Sequence, residues 1–167
     1  MSRVILLCGK LCSGKTTLAA RLKKEENAVI LSMDALMLHL FPEPLGSEYG
    51  RYAERGKRYL LSLAAELALG GTNVILDWGF WYRRERTETR AFFKEKGIEC
   101  PLYWLDPPEE EWRLHITERN HRLEDRSEDD AGAYFIDEGL LKKCLSNFEP
   151  PLPGEADRVL TRATEDI

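Results

Sequence analysis

Eight residues near the amino terminus constrain the fold of this chain more than any others. Gly9-Lys10-Leu11-Cys12-Ser13-Gly14-Lys15-Thr16 sets glycines at its first and sixth positions and a Lys-Thr pair at its end. The run Arg3–Cys8 before it is apolar and rich in β-formers, as in a central strand buried on both faces. Thr16–Glu26 after it carries Leu18, Ala19 and Leu22 at helical spacing. A strand that turns through glycines into a helix makes a nest for anions. The glycines let successive N–H groups face inward, and the helix start adds its positive end. The pattern G-x-x-x-x-G-K-[ST] in this setting predicts a phosphate-binding loop, formed by Gly9, Lys10, Leu11, Cys12, Ser13, Gly14, Lys15, Thr16 and Thr17. Lys15 would meet the β- and γ-phosphates, and Thr16 would offer a hydroxyl to Mg²⁺. The expected ligands are therefore ATP and Mg²⁺. Cys12 needs chiefly to be small, although a helix start can also sensitise a thiol.

Strand and helix signals alternate through the rest of the chain. Ala28–Ser32 reads as a strand, and Asp34–Phe41 as a short helix stopped by Pro42. Glu48–Leu69 reads as a long helix with Tyr52, Tyr59, Leu60, Leu63 and Leu67 on one stripe, ended at Gly70-Gly71. Asn73–Leu76 is a third strand, closed by Asp77, and Glu85–Lys96 is a charged helix. Cys100–Leu105 is a fourth strand. Asp106-Pro107-Pro108-Glu109 then signals a helix start, with Asp106 as cap and a helix to about His121. Arg122–Gly132 lacks periodicity and reads as a loop. Asp137 would cap a last helix with Leu140, Leu141, Cys144, Leu145 and Phe148 inward, and Arg158–Leu160 reads as a fifth strand. This order predicts one α/β domain over residues 1–167, with a mainly parallel sheet.

Composition excludes several classes. At 43% hydrophobic and 32% charged residues, the chain is neither disordered nor fibrous. Its apolar runs are far shorter than the roughly 20 residues of a membrane span, and Gly9-Lys10 cuts the first run too early for a signal peptide. A cytoplasmic protein is expected. The net charge of −5 disfavours a general nucleic-acid partner. Four cysteines without a C-x-x-C pair, and the scattered His39, His115 and His121, make neither a zinc site nor a catalytic cluster.

A phosphate loop does not by itself choose among reactions. In an open α/β sheet, ligands lie beyond the carboxyl ends of the strands, where Asp34 and Asp77 fall. One could take a proton from a hydroxyl and the other hold Mg²⁺ through water or orient an acceptor; both could instead be helix caps. Trp78, Phe80, Trp81 and Tyr82 crowd the stretch after Asp77, where an aromatic ring could stack an acceptor or pack the loop. Arg83, Arg84 and Arg86 follow, placed to meet an anion or to decorate a helix start. Arg113, Arg119, Arg122 and Arg126 lie in and beyond one helix, and phosphoryl transfer requires fixed positive charge on the γ-phosphate. The alternative is a solvated face paired with Glu118, Glu124 and Asp125.

Gly9–Thr16, Met33-Asp34, Val74–Trp81, Leu105–Glu110, Arg119-Asn120 and Phe148-Glu149-Pro150-Pro151 occur in one order. In that order the chain resembles the P-loop kinases grouped with zeta toxins, chloramphenicol phosphotransferase and the kinase domain of polynucleotide kinases. The resemblance implies a five-stranded parallel sheet with flanking helices and an arginine-bearing lid. It implies Asp34 as general base on the acceptor hydroxyl and Asp77 close to the acceptor. Arg119 and Arg122 are implied as lid residues on the transferring group, Arg119 also touching the nucleotide. Polynucleotide kinases of this type tend to carry an arginine three residues after the base, where this chain has Met37. The expected activity is thus transfer of the γ-phosphoryl group from ATP to a hydroxyl of a small molecule. Lys15, Asp34, Arg119 and Arg122 are the expected catalytic residues, Asp34, Asp77, Trp78 and Trp81 the acceptor side, and Thr16 the metal ligand. A nucleoside or 5′-hydroxyl polynucleotide kinase, or a nucleotide-dependent switch, are the alternatives.

Overall fold

The run Val4–Gly9 forms strand β1, and its side chains divide strictly between two cores. A computed structural model, which describes residues 1–124 and 136–164, places Val4, Leu6 and Cys8 in one core and Ile5 and Leu7 in the other, all fully buried. After it come helix α1 (Lys15–Glu25), β2 (Ala28–Ser32), α2 (Met33–Leu40), a 3₁₀ turn at Gly46–Glu48, α3 (Tyr49–Leu69) and β3 (Asn73–Gly79). Helix α4 (Arg83–Glu95), β4 (Leu102–Leu105), α5 (Glu109–Glu124), α6 (Glu138–Asn147) and β5 (Arg158–Leu160) follow.

The five strands pair in the order β2-β3-β1-β4-β5, every pair parallel. Such a sheet requires a crossover between successive strands, so helices cover both faces. Leu18, Ala19 and Leu22 of α1 cover one face, whereas Ala64, Ala65 and Ala68 of α3 and Phe93 of α4 cover the other. Met33 and Met37 of α2 pack against Ala53 and Leu60 of α3 in a smaller core. This is the three-layer α/β fold of P-loop nucleotide-binding proteins. The register brings Gly9 level with Leu105, and Ser32 level with Asp77, so the ends of four strands meet at one rim.

Several boundaries differ from the sequence reading. Strand β3 runs through Asp77 to Gly79, because Asp77 pairs with Leu7 on one side and Ser32 on the other. Asp77 is thereby a buried strand residue and not a cap. Strand β4 begins at Leu102 and not Cys100; Pro101 has no N–H to give a ladder. Helix α5 begins at Glu109, past both prolines and Asp106, and extends to Glu124, so Arg122 is helical. The rest of that stretch, Arg126 included, lies outside the described residues. The buried stripe of α3 is mostly alanine, and Tyr59 is exposed; small residues let the helix approach the sheet. On α6, Cys144 faces inward and Leu145 outward. No described helix is long and apolar enough to cross a membrane.

Candidate active site at the phosphate loop

The loop's first glycine is fixed by crowding. A Cβ on Gly9 would lie 2.5 Å from Ser13 Oγ and 2.8 Å from the Leu105 carbonyl, so no larger residue fits. Gly14 caps α1 at φ 99°, a left-handed conformation open to glycine. Between them Cys12 also has positive φ, 59°, which costs a non-glycine residue energy that its surroundings must offset. The Ser13 N–H closes a turn onto Lys10 O at 3.2 Å.

Lys15 is half-buried. Its ammonium lies across the loop, donating to Lys10 O at 2.6 Å, Gly9 O at 3.0 Å and Ser13 Oγ at 3.4 Å. The adjacent Thr16 hydroxyl donates to Asp77 Oδ2 at 3.3 Å. Burial pushes the Asp77 carboxyl above its ordinary range. Lys15 pulls it down, Asp34 raises it, and the Thr16 hydrogen bond lowers it again. Burial lowers Lys15 in turn, opposed first by Asp77 and also by Cys8 and Asp34. Three charges therefore sense one another at the rim where β1, β2 and β3 end. Asp34 is exposed in the first turn of α2, and the cap of that helix is Ser32, whose Oγ accepts from Ala35 N at 3.3 Å. The Asp34 carboxylate is thus not used as a cap. Asp77 falls on the α1 face, beside Thr16 at the end of the loop.

One face of α5 lies along the loop. Trp112, 1% exposed, donates from Nε1 to Leu11 O at 2.7 Å. Lys10 Nζ sits 4.9 Å from the centre of the same ring. One turn on, His115 Nδ1 meets Cys12 O at 3.3 Å, and one turn beyond that Arg119 Nη1 approaches Cys12 Sγ at 3.7 Å. Arg119 Nε is buried without a hydrogen-bond partner. Arg122 is exposed and its Nε donates to Glu118 O of its own helix at 3.3 Å. Arg113 pairs with Glu109 at 2.8 Å. The structure brings Arg119 to the loop and leaves Arg113 and Arg122 on the surface.

The aromatic stretch divides too. Trp81 Nε1 donates to Gly9 O at 3.2 Å, and its ring lies 2.7 Å from where a Gly79 Cβ would be. Trp81 therefore props the loop from below. Trp78 is half-buried on the opposite face of β3 from Asp77, stacked on Phe80 at 4.8 Å, and donates to Glu85, which also binds Lys57 at 2.6 Å. Arg86 is wholly buried: it chelates Glu155 and donates to the carbonyls of Phe80, Trp81 and Glu149. It holds the Phe148–Pro151 segment against the end of β3. Sequence reading misses Trp112, His115 and this role of Arg86, since each acts on backbone remote in sequence.

The sequence matches the AAA-domain family over residues 4–151. The chain belongs to that family. Among curated proteins no sequence matches it. Kti12 of Chaetomium thermophilum, solved with ADP-AlF3, superposes on this AAA-domain chain with a TM-score of 0.68 at 20% identity, covering 94% of this chain and 88% of Kti12. The Mycobacterium tuberculosis APS kinase CysC, with AMPPNP and APS, gives 0.65 at 19% identity over 95% and 87%. A sugar kinase from a Janibacter species gives 0.61 at 20% identity over 96% and 85%. At these identities the likeness is one of fold, a P-loop kinase-like fold.

Proposed function

We propose that this AAA-domain chain is a phosphotransferase that moves the γ-phosphoryl group of ATP to a hydroxyl of a small molecule. The observation that carries the proposal is the meeting of Lys15, Thr16 and Asp77 in direct contact or charge range, with the uncommitted Asp34 carboxylate facing the same rim. The loop amides and Lys15 bind the triphosphate. A hydroxyl beside a carboxylate is a fitting donor set for Mg²⁺, which takes one or two protein oxygens and completes its shell with phosphate and water. Thr16 and Asp77 would hold it, and it supplies neutralising charge to the phosphate oxygens when bound. Asp34 accepts the proton of the acceptor hydroxyl, and Arg119 places its spare donors on the phosphoryl group in transit. Trp78 is the aromatic surface on the acceptor side, while Trp81 serves the loop.

The subgroup with zeta toxins and chloramphenicol phosphotransferase suits this reading better than a polynucleotide kinase. Met37, at the position where polynucleotide kinases of this type tend to carry an arginine, is 5% exposed and packed against α3. The test is a panel assay with labelled ATP against sugars, nucleosides, aminoglycosides, chloramphenicol-like antibiotics and 5′-hydroxyl oligonucleotides. Label on a small alcohol is the expected result. Slow ATP hydrolysis with no labelled product would make the chain a nucleotide switch, and label only on oligonucleotides would move it to end repair.

A further inference from the structure

The phosphate loop poses a physical problem. For its N–H groups to face a phosphate, the carbonyls of the same peptides must face away, and a carbonyl facing away inside a protein requires a donor. Cys12 holds positive φ within the loop, so without outside support the peptides would turn over. The structure has two donors at that place, both on α5. The indole of Trp112 donates to Leu11 O at 2.7 Å, and His115, in the tautomer with hydrogen on Nδ1, donates to Cys12 O at 3.3 Å. These are consecutive carbonyls of the loop, and 101 and 103 residues separate the partners.

We propose that Trp112 and His115 are positioning residues that preset the anion nest, so that the loop is built before phosphate arrives. A bond from Leu11 O to the indole fixes the plane of the peptide that carries the Cys12 N–H. The contact to Cys12 O likewise fixes the next peptide plane, whose Ser13 N–H closes the turn of the loop onto Lys10 O. Trp112 is the anchor: its ring is buried with Ile116 and Ile136, with Leu11 and Cys12 packed against that cluster, and the Lys10 ammonium lies over its face. The indole therefore holds loop backbone and loop side chains from one rigid helix. Preorganisation of this kind removes the ordering cost from binding, so its effect is read in affinity for phosphates. The inference rests on the reading of Gly9–Thr16 as a phosphate site.

The test uses the full chain with Trp112→Phe, which keeps an aromatic ring and loses the donor, and His115→Ala on the exposed surface. Calorimetry is run with ATP·Mg²⁺ and with inorganic tripolyphosphate, which lacks a base. Trp112→Phe is expected to weaken both ligands by the same factor, about tenfold, or about 1.4 kcal/mol, and His115→Ala both by about threefold. Amide hydrogen exchange without ligand should quicken at residues 11–14 in both variants while β1 and β3 stay protected. Affinity within twofold of wild type, with unchanged loop exchange, would overturn the proposal. So would weakening that differs between the two ligands, or faster exchange across the whole sheet, which would make Trp112 a core residue alone. If Trp112→Phe does not fold, His115→Ala decides by the same readouts. Failure of the wild-type protein to bind either ligand would sink the phosphate-site reading, while the exchange comparison still judges the positioning.

Discussion

The β3–α4 junction and the rim of the phosphate loop both gather charge at the ends of the strands, and they differ in what is left unanswered. At the junction, all three nitrogens of the Arg86 guanidinium meet protein acceptors, and the residue has no exposed surface. At the rim, Asp34 stands exposed with its helix already capped by Ser32, and Arg119 has a buried Nε with no acceptor and one contact to sulfur. A buried charge is tolerated only when its donors are satisfied. A fully answered guanidinium is therefore architecture, while the open donor of Arg119 is what the proposed role on the phosphoryl group would use. The comparison separates arginines that look alike in sequence: Arg86 and Arg119 each sit in a charged helix among acids.

The largest expected effect is at the open region. Asp34→Asn keeps shape and one acceptor oxygen but removes the charge that takes a hydroxyl proton. Turnover of the identified acceptor should fall about 10²–10⁴-fold, with ATP·Mg²⁺ affinity within a few-fold and the thermal midpoint unchanged. Steady-state kinetics beside calorimetry decide it. Wild-type turnover would return Asp34 to the surface and leave Asp77 as the candidate base; lost Mg²⁺-dependent binding would make it a metal ligand.

The closed region should answer in the opposite currency. Arg86→Met preserves much of the side-chain volume and strands the Glu155 carboxylate and three carbonyls. Removing one member of such a buried set costs about 3–5 kcal/mol, read from urea unfolding. Any surviving folded protein should bind ATP near normally. A variant within 1 kcal/mol of wild type would mean that water replaces the guanidinium and that the junction is not closed.

This division also marks what sequence can convey. Gly9–Thr16 announces itself because strand, turn and helix are contiguous, and each residue type there answers a local demand. The five strands and their order of helices are equally local, written in apolar runs and Gly or Pro stops. The end of β3 was less legible: Asp77 looks like a terminator, and only pairing with Leu7 and Ser32 keeps it in the strand. Trp112 is less legible still. Its apolar ring suggests core, and nothing near it in the chain tells that its N–H meets a carbonyl 101 residues away. Arg119 and Arg122 appear equivalent by spacing, and only the packing of α5 on the loop distinguishes them.

The comparison is sharpest at that last pair. Arg119 and Arg122 share a helix, a charge and a side-chain length, so they differ only in what lies opposite. Arg119 reaches Cys12 in the loop, whereas Arg122 is exposed and bonded to its own helix. If position against the loop is what matters, Arg119→Ala should lower turnover about 10²-fold, the usual effect of removing one donor aimed at developing charge. ATP affinity should change far less, because the charge matters most when the phosphoryl group is between donor and acceptor. Arg119→Lys should recover only part of the rate, since an ammonium lacks the planar fork. Arg122→Ala, by contrast, should leave turnover within twofold. Equal losses at both positions would show that α5 moves over the nucleotide and uses both arginines. Equal indifference would make the contact of Arg119 with the loop structural only and leave Lys15 as the fixed positive charge of the site.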